Sequence, residues 1–209
     1  MNPTVAVFDI GGVLIDWNPA YLYRKLLSDE ASVSKFLAEI CTGEWNAQFD
    51  AGMPFAEGIA ALIKIYPEKA ELIEAYWLRW HEMLGGEVPG TARILSRLKA
   101  AGVPVHAISN WSAETFPRAL ARFPFLDAFD ILVVSGREKV IKPNPAIFHA
   151  FLERSGLPAS ACIFIDDNRT NIAAAASLGF HTEHFRSADN LERRLAGVGM
   201  LPEEEGTVR

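Results

Sequence analysis

Five positions in this chain carry side chains suited to chemistry on one small anion: Asp9, Ser109, Lys142, Asp166 and Asp167. Asp9 follows an apolar run, Val5-Ala6-Val7-Phe8, and precedes Gly11-Gly12. A carboxylate therefore stands where a buried strand gives way to a sharp turn, and solubility does not require an acid there. Ser109-Asn110 follows the run Val103–Ile108, and Asp166-Asp167-Asn168 follows Cys162–Ile165. A fourth run, Ile131–Val134, leads through Ser135-Gly136 to Lys142-Pro143. Parallel strands deliver their C-terminal ends to one edge of a sheet, so these groups are expected to share one crevice.

Three carboxylates at close range repel, and at least one pKa rises unless a cation intervenes. A hard divalent ion relieves this. Mg²⁺ takes one or two carboxylates, keeps waters and accepts a phosphate oxygen. Lys142 adds a point charge suited to a phosphoryl group, and Ser109 adds a hydroxyl donor. The set suits phosphoryl transfer, with Asp9 becoming an aspartyl-phosphate. Taken singly, each element has a plainer use. Asp166-Asp167 can be a solvated turn that caps the next helix, Ser109-Asn110 can cap a helix beginning near Ala113, and Lys142 can be one exposed lysine among several. Their occurrence together, in order and at strand ends, points to a site.

The elements that must position these groups follow from hydrophobic periodicity. The four apolar runs read as buried parallel strands. Between the later ones lie helical patterns at Thr91–Ala100, Pro145–Ser155 and Asn171–Leu178, ending at Gly102, Gly156 and Gly179. Strands alternating with helices predict an α/β fold, a Rossmann-like parallel sheet core flanked by helices. The stretch from Asn18 to about Glu87 shows no convincing strand. Pro19–Leu27, Ser32–Ile40, Phe55–Ile65 and Lys69–Leu84 carry apolar residues at helical spacing, and Gly85-Gly86 with Pro89-Gly90 reads as a hinge. The expected division is an α/β core of residues 1–17 and 88–209 with an all-helical insertion over 18–87. The tail from Pro202 to Arg209 is expected to fray.

Composition bounds the partners. The chain has 209 residues, 50% hydrophobic, and a formal net charge of −6. No segment is basic enough for a phosphate-backbone footprint, so nucleic acid is not expected as a partner. No stretch has the length of a membrane span, and no basic region with an apolar signal core opens the chain. Two cysteines, Cys41 and Cys162, lie outside any metal pattern, and Cys162 is expected as a buried thiol. The expected location is the cytoplasm, and the partner expected from the site residues is a small phosphorylated molecule and not a membrane. The five histidines show no metal-ligand spacing. The sequence gives no reading of oligomeric state.

Four segments in order resemble the haloacid dehalogenase-like (HAD) hydrolase superfamily. They are Phe8-Asp9-Ile10-Gly11-Gly12-Val13-Leu14, Ile108-Ser109-Asn110-Trp111, Ile141-Lys142-Pro143, and Phe164-Ile165-Asp166-Asp167-Asn168 with Asn171. The resemblance covers nearly the whole chain, and the helical insertion falls where the family places its small cap. It implies that Asp9 is the nucleophile and a metal ligand. Ser109 is then the phosphate-holding hydroxyl, and Lys142 the lysine that neutralises nucleophile and phosphate. Asp167, with Asp166, is the acidic metal ligand, and the carbonyl of Gly11 is a further ligand to Mg²⁺.

One position departs from the family's phosphatase pattern. A second Asp, two residues after the nucleophile, normally protonates the leaving group and then activates water. Here that position is Gly11. The chain can be a phosphatase of a substrate with a good leaving group, such as a sugar 1-phosphate or an acyl phosphate. Another side chain, or water held by Asp16 or Asp166, can also take over. Alternatively it is a 2-haloacid dehalogenase, whose relatives also lack the second Asp and displace halide without a metal. A third reading is a non-catalytic ligand-binding protein on the same scaffold. Selectivity is expected from the insertion. Trp17, Trp45, Gln48 and Phe49 are candidates to face the site, with Trp45 and Phe49 four apart on one helix face. Asn110 and Trp111 are candidates from the sheet edge. Tyr76, Trp77 and Trp80 read as packing residues.

Overall fold

In the computed structural model, residues 2–202 are described, so most of the tail expected to fray lies outside them. Among the described residues, seven strands and eleven α-helices follow in chain order. β1 (Val5–Phe8) and β2 (Ile15–Trp17) come first. Helices α1 (Ala20–Tyr23), α2 (Glu30–Glu39), α3 (Gly43–Asp50), α4 (Phe55–Ile65) and α5 (Ala70–Leu78) follow. Next are β3 (Leu84–Glu87), α6 (Thr91–Ala100), β4 (Val105–Ser109), α7 (Phe116–Arg122), β5 (Ile131–Val134) and α8 (Ser135–Glu138). The chain continues through α9 (Pro145–Ser155), β6 (Cys162–Asp166), α10 (Arg169–Ser177), β7 (His181–His184) and α11 (Ala188–Gly197).

Five strands form one parallel sheet in the order β5-β4-β1-β6-β7. The fold class is therefore the expected α/β, with helices on both faces. Strand β1 is central. The chain runs from it outward through β4 and β5, then returns to β6 and β7 on the other side. That reversal puts the topological switch point at β1, where the edge of an open sheet forms a crevice. Successive β1 side chains alternate between two buried clusters. Ala6 and Phe8 join the larger one, and Val5 and Val7 join the smaller one with Ile147, Phe148, Phe151 and Phe164.

The structure corrects several expected boundaries. The run at Val103–Ile108 starts as a strand only at Val105, because Pro104 has no N–H and contributes only its carbonyl, which accepts from Ala6. Ser109 and Asp166 are the last residues of β4 and β6 and do not follow them. Gly85-Gly86 is strand and not loop. It lies in β3, which pairs antiparallel with β2, so the helical segment leaves and returns through one two-stranded ribbon. The helix expected over Lys69–Leu84 ends at Leu78, and a 3₁₀ turn at Trp80–Met83 leads into β3. Strand β7 and helix α11 were not expected. β7 reads His-Thr-Glu-His, an edge strand with no apolar run to mark it. Cys162 is buried, as expected. Among the described residues, no helix is long and apolar enough to cross a membrane.

The smaller cluster is built largely on aromatic contacts, with Phe148 edge-on to Phe164 at 5.3 Å and near Phe180 at 5.9 Å. Phe148 is fully buried. Phe148→Ala should lower unfolding free energy by about 3–5 kcal/mol, from lost burial plus the cavity left behind. Urea unfolding followed by far-UV circular dichroism checks this.

Candidate active site

Asp9 leaves β1 at the sheet edge, and its carboxylate is buried. Three donors meet on one oxygen. The Ile10 N–H reaches Oδ1 at 2.7 Å, the Ser109 hydroxyl at 2.9 Å and the Lys142 ammonium at 2.9 Å. None of these bonds uses Oδ2. The Lys142 side chain is wholly enclosed and also lies 2.8 Å from Asp166 Oδ2. Its place is set by Asn110, whose amide donates to the Lys142 carbonyl at 3.0 Å and accepts from the Lys142 N–H at 2.7 Å. Asn110 therefore holds the lysine loop to the end of β4.

Asp166 is held by three partners. Besides Lys142, it accepts from the Asn168 N–H at 2.7 Å and from the Asn171 amide at 3.2 and 3.0 Å on its two oxygens. Asn168 itself caps α10 by accepting from the Thr170 N–H. Asp167 is exposed and turns towards the cavity. Carboxylate oxygens of Asp9, Asp166 and Asp167 lie within 4.8 Å of one another. Gly12 has φ +74°, and a Cβ there would run into the Asp167 carboxylate. The position thus needs glycine both for its backbone and for the room Asp167 takes.

Burial, followed by the neighbouring Asp166, pushes the Asp9 carboxyl up to about 7 from 3.8, although Lys142 and the Ile10 N–H oppose this. Burial alone would lower the Lys142 ammonium, but Asp9 and Asp166 outweigh it and hold the group above its usual range. The three acids form an all-oxygen set suited to a hard divalent cation, which would relieve the crowding of negative charge.

The crevice opens into a cavity of about 250 Å³. Asp9, Gly11, Gly12, Asn110 and Asp167 line it from the sheet edge, Trp111, Ser112 and Thr115 from the loop after β4, and Trp17, Asn46, Asp50, Phe55 and Trp80 from the helical segment and its ribbon. The structure thus brings Asp9, Ser109, Lys142, Asp166 and Asp167 together, and it places Trp17, Asn110 and Trp111 on the cavity wall. Trp45 is not there. It packs edge-on to Phe49 at 4.6 Å and to Tyr76 at 4.9 Å, inside the helical segment. Gln48 is exposed and Phe49 is buried. The neighbouring face of α3, Asn46 and Asp50, turns to the cavity instead. Trp80, expected as packing, also lines it. Asp16 is off the cavity and accepts from the Tyr21 hydroxyl at 2.6 Å.

The sequence model of the haloacid dehalogenase-like hydrolases matches residues 3–179. The chain belongs to this hydrolase family. Among curated relatives, drimenol cyclase drtB of Aspergillus calidoustus is 25% identical over 203 residues, 96% of this chain and 37% of that protein. The chain thus spans well under half of that relative's length. A phosphorylated carbohydrates phosphatase of Thermotoga maritima is 26% identical over 182 residues, 83% of this chain and 80% of that one. An (S)-2-haloacid dehalogenase of Pseudomonas fluorescens is 34% identical over 90 residues, 43% of this chain and 40% of that one. A HAD family enzyme of Bacteroides thetaiotaomicron, crystallised with magnesium and inorganic phosphate, superposes with a TM-score of 0.68 at 23% identity, covering 88% of this chain and 95% of that one. The likeness shows the shared fold.

The elevated Asp9 carboxyl has a consequence for stability. Between 3.8 and about 7 the folded chain holds a proton there that the unfolded chain releases. Stability from this group is complete below that window and is lost as pH rises through it. In chelator, the urea midpoint of the native protein should therefore fall relative to that of Asp9→Asn between pH 5 and pH 8. Parallel midpoints would show that Asp9 is ionised throughout.

Proposed function

We propose that this hydrolase is a Mg²⁺-dependent phosphatase of small phosphorylated metabolites, working through an aspartyl-phosphate on Asp9. The observation that carries this reading is the buried Lys142 ammonium between Asp9 and Asp166, with Asp167 completing an all-oxygen donor set. Asp9, Asp166, Asp167 and the Gly11 carbonyl would hold the ion. When bound, it supplies positive charge that neutralises the phosphoryl oxygens and orients them.

The residues then divide the work. Ile10, Ser109 and Lys142 fix Asp9 through Oδ1, so Oδ2 is left to attack phosphorus. Lys142, with three N–H donors, also holds phosphoryl oxygens against the nucleophile, and the single Ser109 hydroxyl proton would turn from Asp9 to a phosphoryl oxygen as phosphate binds, stabilising the charge that builds there. Asn110 positions Lys142, and Asn171 positions Asp166. A divided chain, with residues 18–87 as a cap over an α/β core, fits the ribbon entry and the cavity walls. Trp17 and Trp111 offer flat apolar surface, and Asn46, Ser112 and Thr115 offer hydrogen bonds. That mixture and a volume of about 250 Å³ suit a single hydroxylated ring, as in a sugar phosphate. The Thermotoga relative's name supports the same class.

A dehalogenase would need no hard-cation site. Three carboxylates crowded at its nucleophile would repel both the substrate carboxylate and the departing halide. A ligand-binding protein would have no use for a nucleophile braced by three donors on one oxygen.

Purified protein should release phosphate from sugar phosphates with Mg²⁺ and lose that activity in chelator. It should release no halide from 2-chloropropionate. Asp9→Asn should abolish turnover while keeping the native circular dichroism spectrum. Halide release unaffected by chelator, or full activity in Asp9→Asn, would overturn the reading.

A further inference from the structure

Gly11 leaves the proposed reaction without a proton donor for the leaving group. The acids nearest the nucleophile cannot fill the role. Asp166 and Asp167 belong to the proposed cation set, and Asp166 also accepts from Lys142, Asn168 and Asn171. Asp16 is engaged by Tyr21 away from the cavity. Among the residues lining the cavity, the one carboxyl outside the Asp9 cluster is Asp50.

Asp50 ends α3 and is held in place from three directions. Its carbonyl accepts from the Ser135 hydroxyl at 2.6 Å, and that same hydroxyl accepts from the Trp111 N–H at 2.9 Å. Its carboxylate accepts from the Asn46 amide at 2.9 Å and from the Ser112 backbone. The Tyr76 hydroxyl in turn fixes Asn46 through a 2.8 Å bond to its Oδ1. Gly52, two residues on, has φ +97°, and a Cβ there would stand 3.1 Å from the Gly136 carbonyl, so the chain comes hard against the sheet edge.

We propose that Asp50 is the general acid and base of this hydrolase, supplying from the helical segment what Gly11 cannot. This rests on the phosphatase reading above. In the first half-reaction the Asp9 carboxylate forms a bond to phosphorus, the phosphorus–oxygen bond to the leaving group breaks, and protonated Asp50 gives its proton to that oxygen. In the second, ionised Asp50 takes a proton from water as the water oxygen bonds to phosphorus. The bond from phosphorus to Asp9 breaks, releasing phosphate and restoring both groups.

The surroundings of Asp50 suit both halves. Burial pushes its carboxyl up to about 7 from 3.8, against the lowering effects of the Ser112 N–H, Lys142 and Asn46. A group poised near neutrality can give and take a proton in turn. The groups acting on it are Asn46 on its own helix and Ser112 and Lys142 from the sheet edge, while Tyr76 on α5 is itself raised by Asp50.

The test compares native protein with Asp50→Asn on two kinds of ester. p-Nitrophenolate leaves without a proton, whereas the alkoxide of glycerol 3-phosphate or a sugar 6-phosphate needs one. Asp50→Asn should lose about 10²–10⁴-fold in kcat/KM on the alkyl esters and less than about tenfold on p-nitrophenyl phosphate. It should also show a burst of p-nitrophenolate as the aspartyl-phosphate accumulates, because water is no longer activated. Retained p-nitrophenyl phosphate activity certifies the fold of the variant. Equal losses on both kinds of ester, or none, would overturn the assignment and leave the phosphatase reading standing. So would native protein active on p-nitrophenyl phosphate but silent on every alkyl ester. Native protein silent on all of them would overturn both.

Discussion

The structure turns on one enclosed ammonium. Lys142 stands between Asp9 and Asp166, within 2.9 Å of each, with its side chain closed off from solvent. Without it, two buried carboxylates would face each other across a low-dielectric crevice, which costs several kcal/mol per uncompensated ion. Much of the surrounding chain holds that charge in place. Asn110 ties the lysine loop to β4, Asn171 and the Asn168 N–H share the load on Asp166, and Ser109 and Ile10 share the load on Asp9. The parallel sheet delivers all of these to one edge, so the electrostatics depend on strand order as much as on residue type.

That dependence explains what could be read from the chain. Asp9, Ser109 and Asp166 sit at the ends of apolar runs, and a buried parallel strand is among the plainest signals a sequence carries. The glycines and helical periods around them fixed the α/β class. Less was legible where the signal was polar or ambiguous. β7 has no apolar residue, and the Gly85-Gly86 pair in β3 lacks the side chains by which strands are recognised. Only pairing with β2 reveals it.

The helical segment gives the sharper case. Trp45 and Phe49 share one face of α3, and Asn46 and Asp50 share the next, about 100° round the helix. Periodicity finds both faces but does not say which neighbour each will meet. Aromatic side chains suggested a ligand surface, yet burial drew them into the interior against Tyr76 and Phe55. The polar pair was left to face the crevice. A helix in a small segment must spend its largest apolar side chains on its own core, and the residues beside that stripe become available for ligand.

The Ser135 hydroxyl joins the carbonyl of Asp50 to the N–H of Trp111, so one atom ties the helical segment to the loop after β4. Arg118 and Arg122 add further ties by donating to the Trp77 and His81 carbonyls. The same docking that shapes the walls also delivers a carboxyl to the crevice. For the proposed phosphatase, an oversized ester could still lodge its phosphate at the sheet edge while propping α3 away from Ser135. Such a molecule would occupy the site as a blocker and would be turned over poorly. Discrimination by size would then appear in the speed of reaction and hardly at all in the tightness of binding.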